Sequence, residues 1–219
     1  MEQKELLLEY MEYRCSVYYS LKTLFVKEAT MAQIRQIMRS CRKAQGFEGM
    51  KEAERAYIEY FSSIEDDQVK EIRQEMKPEY ARLFLGPKKL IAPPYESVYR
   101  SKNQCIYGEE TGHVKQFYIN AGMELKEKVR VPEDFIGTEL EFMYWMSHRM
   151  YQALQNGQEE LAHKMAVYQY EFLMQHLLMW VPQFAKDVVE GTTMEYFRVA
   201  AAYLEEFLKE DVSFLESLK

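Results

Sequence analysis

Apolar residues recur along most of this chain at intervals of three and four, the period of a helix with one face turned inward. Over residues 2–28 the stripe is Leu7, Tyr10, Val17, Leu21, Leu24 and Phe25. Thr30 then opens Thr-Met-Ala-Gln, in which the hydroxyl and the Gln33 amide satisfy free backbone donors at a helix start. The helix it opens uses Ile34, Ile37, Met38 and Cys41 and stops near Gly46. Another is predicted from about Met50 to Phe61, with Ala53, Tyr57 and Tyr60 or Phe61 inward. Glu65, Asp66 and Asp67 sit where acids suit a helix N-terminus, ahead of Val69, Ile72 and Met76.

The middle of the chain breaks this rhythm. Five of the six prolines, Pro78, Pro87, Pro93, Pro94 and Pro132, fall between residues 78 and 132, where they force the backbone out of helix. Pro78 is expected to kink or start a helix running through Tyr80, Leu83 and Phe84 to Gly86-Pro87. Lys88 to Ser97 reads as an extended loop around Pro93-Pro94, followed by a short helix near Val114 to Ala121. A charged connection, Glu124 to Arg130, comes next.

Regularity then returns. Ile136, Leu140, Met143, Met150 and Leu154 keep the helical period, with Ser147 in register and Gly157 as the stop. A second long stripe is predicted at Leu161, Met165, Tyr168, Phe172 and Met179. Pro182 falls near the start of a short helix that Gly191 closes, and Thr192 or Thr193 caps a last helix using Phe197, Ala200, Leu204, Phe207 and Leu208. The expected fold is all-α: one domain over residues 1–219, a bundle of roughly ten or more helices, with an irregular hinge or loop at about 86–106.

Composition agrees with that class. Gly (9) and Pro (6) are scarce for 219 residues, and 47% of the chain is apolar, enough for a packed core. A net charge of −7 argues against a nucleic-acid partner and suits either simple solubility or attraction of a basic peptide. Cys15, Cys41 and Cys105 are too few and too scattered for a disulfide framework or a zinc site. The start, Met-Glu-Gln-Lys-Glu, does not resemble a secretory leader, and Phe172 to Phe184 is too short and polar to span a bilayer. The expected location is the cytoplasm.

Catalytic patterns are weak. Glu160-Leu-Ala-His163 has di-iron spacing, but its only companion, Glu110-Thr-Gly-His113, lies beside the irregular middle. His148 and His176 read as surface or satisfied core residues. No Gly-x-Ser-x-Gly elbow or phosphate-cradling loop is present, so the reading is a non-enzyme without cofactor or metal. The proline-rich middle is more suggestive. Pro93-Pro94 fixes an extended segment at little entropic cost on binding, and Tyr95 and Tyr99 bracket it with amphipathic rings. It serves either to seal the bundle or to bind a partner.

Those residues also carry a resemblance. Tyr80-Ala-Arg-Leu-Phe-Leu-Gly-Pro87, then Pro93-Pro94-Tyr95-Glu96-Ser97-Val98-Tyr99, resembles the signature of the TorD/DmsD/NarJ-type redox-enzyme maturation chaperones. Pro132-Glu133-Asp134-Phe135-Ile136-Gly137-Thr138-Glu139-Leu140-Glu141-Phe142-Met143 is similar to a second family block, and His176, Leu177, Trp180, Pro182 and Phe184 to a third. The resemblance implies an all-α chaperone for molybdenum-cofactor enzymes of the dimethyl sulfoxide reductase type. Such a chaperone holds the precursor's twin-arginine signal peptide, assists cofactor insertion and delays export until the client is folded. In the family an Asp-His pair before Ile-Gly is associated with that binding; here Asp134 matches and Phe135 replaces the His.

A twin-arginine leader offers two cations and a short apolar helix, so its receptor needs carboxylates beside a greasy groove. Glu133, Asp134 and Glu139 are candidates for the first, although Glu133 and Asp134 also suit a helix N-terminus. Leu83, Phe84, Tyr95 and Tyr99 are candidates for the second, and Tyr80, Gly86, Pro87, Pro93, Pro94, Glu96, Ser97, Phe135 and Gly137 complete the set. The expected partners are the leader and the body of the precursor, with the chaperone a monomer or a domain-swapped dimer. A small-molecule or nucleotide-binding protein, and a permanent subunit of a redox complex, remain the alternatives.

Overall fold

The helix-period stripes become ten α-helices among the described residues, which in this computed structural model are 2–86, 90–123 and 131–219. In order they are α1 (Glu2–Val26), α2 (Met31–Ala44), α3 (Glu52–Ser63), α4 (Val69–Phe84) and α5 (Glu96–Arg100). Then come α6 (Glu109–Asn120), α7 (Ile136–Gln155), α8 (Glu159–Phe172), α9 (Leu178–Gly191) and α10 (Glu195–Glu216). A five-residue π turn, Leu173–Leu177, joins α8 to α9. Pro87 and the charged connection Glu124 to Arg130 lie outside the described residues. The helices gather into two compact units.

The first unit comprises Met1–Lys22, Tyr95–Trp180 and Leu208–Lys219. Its helices α7 and α8 pack side by side, around Phe142, Met143, Met150, Met165 and Phe172. A polar network is buried among them. The Arg14 guanidinium is bound to both oxygens of Asp211 and donates to the Ser147 hydroxyl at 2.7 Å, while Tyr18 donates to Asp211 Oδ2 at 2.6 Å. Every member of that network is buried.

The second unit comprises Thr23–Pro94 and Val181–Phe207. Phe25, Phe61, Phe84, Phe184, Tyr196 and Phe197 fill its interior with mostly edge-on aromatic pairs. The predicted capping box at Thr30 is formed: the hydroxyl accepts the Gln33 amide N–H at 3.3 Å and Gln33 Oε1 accepts the Thr30 N–H at 2.9 Å. Gly46 follows α2 with φ +86°, a conformation that favours glycine. Pro78 sits inside α4 and does not end it.

Three local expectations are corrected. Leu161 and Met179, assigned to the inward stripe of α8 and its continuation, are 42% and 57% exposed. Ala162, Ala166 and Gln169 occupy the inward positions instead, small or polar residues that a count of large apolar side chains passes over. Phe172, His176 and Trp180 are spaced by four, a spacing that drifts about 40° per step off the face of a regular helix. The π turn between them absorbs part of that drift, so all three stay buried. Pro182 is the fifth residue of α9, just past its first turn and not at its start. At α10 the Met194 carbonyl accepts the Arg198 N–H at 3.3 Å, so Thr192 stands outside the helix; its hydroxyl accepts the Met194 N–H at 3.1 Å.

Candidate functional site

The proline-rich middle and the acidic turn meet through the backbone. Tyr95 and Phe135 form an isolated antiparallel bridge, and Glu96 N–H donates to the Asp134 carbonyl at 3.0 Å. Asp134 Oδ2 accepts the Ser97 N–H at 2.8 Å and Oδ1 accepts the Thr111 hydroxyl at 2.9 Å. Asp134 precedes α7, yet it does not cap that helix: Phe135 is the N-cap residue and has no side-chain bond. Its carboxylate instead serves the second N–H of α5 and ties α5 to α6. Tyr118 adds a bond from its hydroxyl to the Glu133 carbonyl at 3.0 Å.

Beneath this join lie three carboxyl groups with no solvent exposure: Glu96, Asp134 and Glu139. Glu96 is bound by Arg100 one helical turn away and by His176 Nδ1 at 2.9 Å. Glu139 Oε2 accepts the Trp180 indole N–H at 3.2 Å, while Oε1 has no hydrogen-bond partner. Burial, reinforced by the negative charges of Glu96 and Asp134, pushes the Glu139 carboxyl well above the usual carboxylate range.

The residues expected to contact a leader fall into two groups. In the second unit Tyr80, Leu83, Phe84 and Pro94 are buried, Gly86 and Pro93 are half-exposed, and Pro87 is outside the described residues. Tyr80 there donates its hydroxyl to the Phe25 carbonyl at 3.0 Å, so this apolar set is core. In the first unit Glu96, Ser97, Asp134, Phe135, Gly137 and Glu139 are buried. Tyr95, Tyr99 and Glu133 keep part of their surface in solvent. Tyr95 packs on Phe135 with ring centroids 5.7 Å apart, Tyr99 on Trp180 at 5.5 Å, and Glu133 pairs with Lys115 at 3.2 Å.

A cavity of about 520 Å³, entirely within the first unit, was not anticipated from the sequence. Helix α6 supplies His113, Gln116, Phe117 and Asn120, α5 supplies Arg100, and Gln175, His176 and Met179 come from the π turn and the start of α9. The spacing of the α6 residues, one face of a helix, was the available signal. His176 had been read as a surface or satisfied core side chain, and it is the latter: 3% exposed and bound to Glu96.

Little here suits covalent or metal chemistry. Burial pushes the Cys15 thiol up to about 11 and the Cys41 thiol up to about 12, which keeps both protonated and poorly nucleophilic. The described residues contain no group of three or more His, Cys, Asp or Glu placed to hold a metal. Glu160 and His163 are exposed and separately engaged, by Lys164 and by the Leu218 carbonyl. No helix among the described residues is long and apolar enough to cross a membrane.

Comparison with known proteins places this architecture. Residues 42–186 match the family model described as nitrate reductase delta subunit. The chaperone protein TorD of Vibrio cholerae serotype O1 is 24% identical over 215 residues, covering 94% of each chain. TorD of Aliivibrio salmonicida is 26% identical over 208 residues, covering 93% of this chain and 95% of its own. A crystal structure of an Archaeoglobus fulgidus protein, assigned there to redox enzyme maturation, shares the fold with a TM-score of 0.53 at 18% identity over 90% of this chain and 93% of its own. The chain thus belongs to the nitrate reductase delta subunit family, and the TorD relatives it matches along nearly their whole length are chaperone proteins.

Proposed function

We propose that this chaperone binds, in the cytoplasm, the twin-arginine signal peptide of a molybdenum-cofactor oxidoreductase precursor of the dimethyl sulfoxide reductase type. It assists cofactor insertion and delays export until the client is folded. The observation that carries this reading is the join of Tyr95–Ser97 to Asp134–Phe135, which unites the two sequence blocks in one substructure. The part-exposed Tyr95, Tyr99 and Glu133 of that join offer two amphipathic rings and a carboxylate, the chemistry that a cationic, partly apolar leader needs. Asp134 and Glu139 act from below, as positioning groups. The body of the precursor is a second contact, nucleic acid is not a partner, and the chaperone works as a monomer or a domain-swapped dimer.

Calorimetric titration of the purified protein with a synthetic twin-arginine leader tests the proposal. Glu133→Lys is expected to weaken binding about fivefold, the worth of one exposed ion pair of ~1 kcal/mol, with an unchanged melting temperature. Replacing the leader's arginine pair by glutamines should have a larger effect. Unchanged affinity in Glu133→Lys removes that carboxylate from the site. Equal affinity for the glutamine leader overturns the proposal itself.

A further inference from the structure

The cavity beside the π turn contains groups that the leader-binding reading leaves unused. Arg100 is anchored through one nitrogen only: Nη1 binds Glu96 and donates to the Gln175 carbonyl at 2.8 Å. Its Nε and Nη2 have no partner among the described residues, on a side chain that lines the cavity. The ring of His176 is similarly fixed. Nδ1 is held by Glu96, so Nε2 is the nitrogen left for the cavity that this 97%-buried side chain lines. The π turn explains why both groups gather here. The Gln175 carbonyl lies in that turn and accepts from Arg100, and His176 is the next residue.

The remaining lining sharpens the chemistry. No carboxylate lines the cavity, and Glu96, behind it, is spent on Arg100 and His176. His113 and Gln116 add exposed hydrogen-bonding groups from α6, the Gln116 amide already donating one N–H to Asn120 Oδ1 at 2.8 Å, while Phe117 and Met179 supply flat and adaptable apolar surface. Among the described lining residues Arg100 is the one permanently charged side chain, and Glu96 takes up only its Nη1. Two free N–H groups of one guanidinium match the paired oxygens of a carboxylate or phosphate, and the volume suits a small molecule. We infer that this cavity is a binding site for a small oxyanion-bearing ligand, a carboxylate or phosphate ester carried on a flat apolar body.

Phenyl phosphate, benzoate and inorganic phosphate, titrated separately into ¹⁵N-labelled full-length protein, test the site by NMR. Phenyl phosphate or benzoate at millimolar concentration should shift the Arg100 Nε–H and Gln116 side-chain amide resonances. The preferred member of that pair identifies the oxyanion, and inorganic phosphate should bind at least about tenfold more weakly because it leaves Phe117 and Met179 uncovered. Arg100→Gln should abolish the shifts, but it also removes a donor from buried Glu96. His113→Glu, on an exposed position, carries the decisive arm: a loss of about tenfold or more with unchanged melting temperature. The site is overturned if neither aromatic probe moves these resonances up to its solubility limit. It is equally overturned if the shifts persist undiminished in a folded His113→Glu protein.

Discussion

Glu79 and Glu139 are both buried glutamates in helices, one in each unit, and their surroundings shift their carboxyls in opposite directions. Glu79 accepts two bonds from Arg82, at 2.7 and 2.8 Å, with further donors from the Thr192 hydroxyl at 2.8 Å and the Thr193 N–H at 2.7 Å. The Arg82 bonds foremost hold its carboxyl down at about 2. Glu139 has one indole donor and two acidic neighbours, and burial pushes its carboxyl upward. A carboxylate surrounded by donors clamps a chain reversal, here α9 into α10. A carboxyl short of donors inside an acidic cluster is pushed toward its protonated form. Burial alone does not tell the two apart; the donor count does.

The largest expected effect lies beside Glu139. Asp134→Ala strips the acceptor from the Ser97 N–H and the Thr111 hydroxyl, both buried, and should cost about 3 kcal/mol in urea denaturation. A loss below about 1 kcal/mol would mean that the α5–α6 junction does not depend on this carboxylate. Loss of leader affinity in this variant would then report positioning as well as contact.

Glu79→Gln follows, at about 2 kcal/mol at neutral pH, because the amide keeps one acceptor and loses the charge that Arg82 matches. Its depressed pKa fixes the pH window. The contribution is complete above the unfolded-state value near 4.5 and fades as pH falls toward about 2. Wild type and Glu79→Gln should therefore converge in stability at the acid end of that window, and a constant gap would contradict the ionised clamp.

Glu139→Gln should be the smallest change and of opposite sign. With its pKa raised, folded Glu139 keeps a proton that the unfolded chain gives up above about 4.5, so wild-type stability declines as pH rises past that value. Glutamine retains an acceptor for Trp180 and never ionises. Relative to wild type, the variant should be more stable at about pH 8 than at about pH 5, by urea denaturation. A marked destabilisation at both values would show that Glu139 is ionised in the fold.

Helix ends and stripes were legible because they depend on neighbours in sequence. The Thr30–Gln33 box and the halt at Gly157, φ +70°, formed as read. Features set by distant residues were not legible. Arg82, three residues after Glu79, is a local sign of its ionised state, but the Thr192 and Thr193 donors are distant, and nothing local shows that Asp134 would serve α5 and not its own helix. The outward turn of Met179 required knowing that a π turn precedes it. Of the candidate site, the pairing of Tyr95–Ser97 with Asp134–Phe135 followed from reading two blocks together, while the burial of most of their side chains did not. Arg100 was invisible as a binding residue because its partners, Glu96 and the Gln175 carbonyl, are separated by most of the first unit's sequence.

The most direct test of leader recognition is photo-crosslinking from a leader peptide bearing benzoyl-phenylalanine beside its arginine pair, with adducts mapped by mass spectrometry. Adducts within residues 93–99 and 131–137, suppressed by excess unmodified leader, are the expected result. Competable adducts confined to other segments would contradict the assignment of this face to the client's signal peptide.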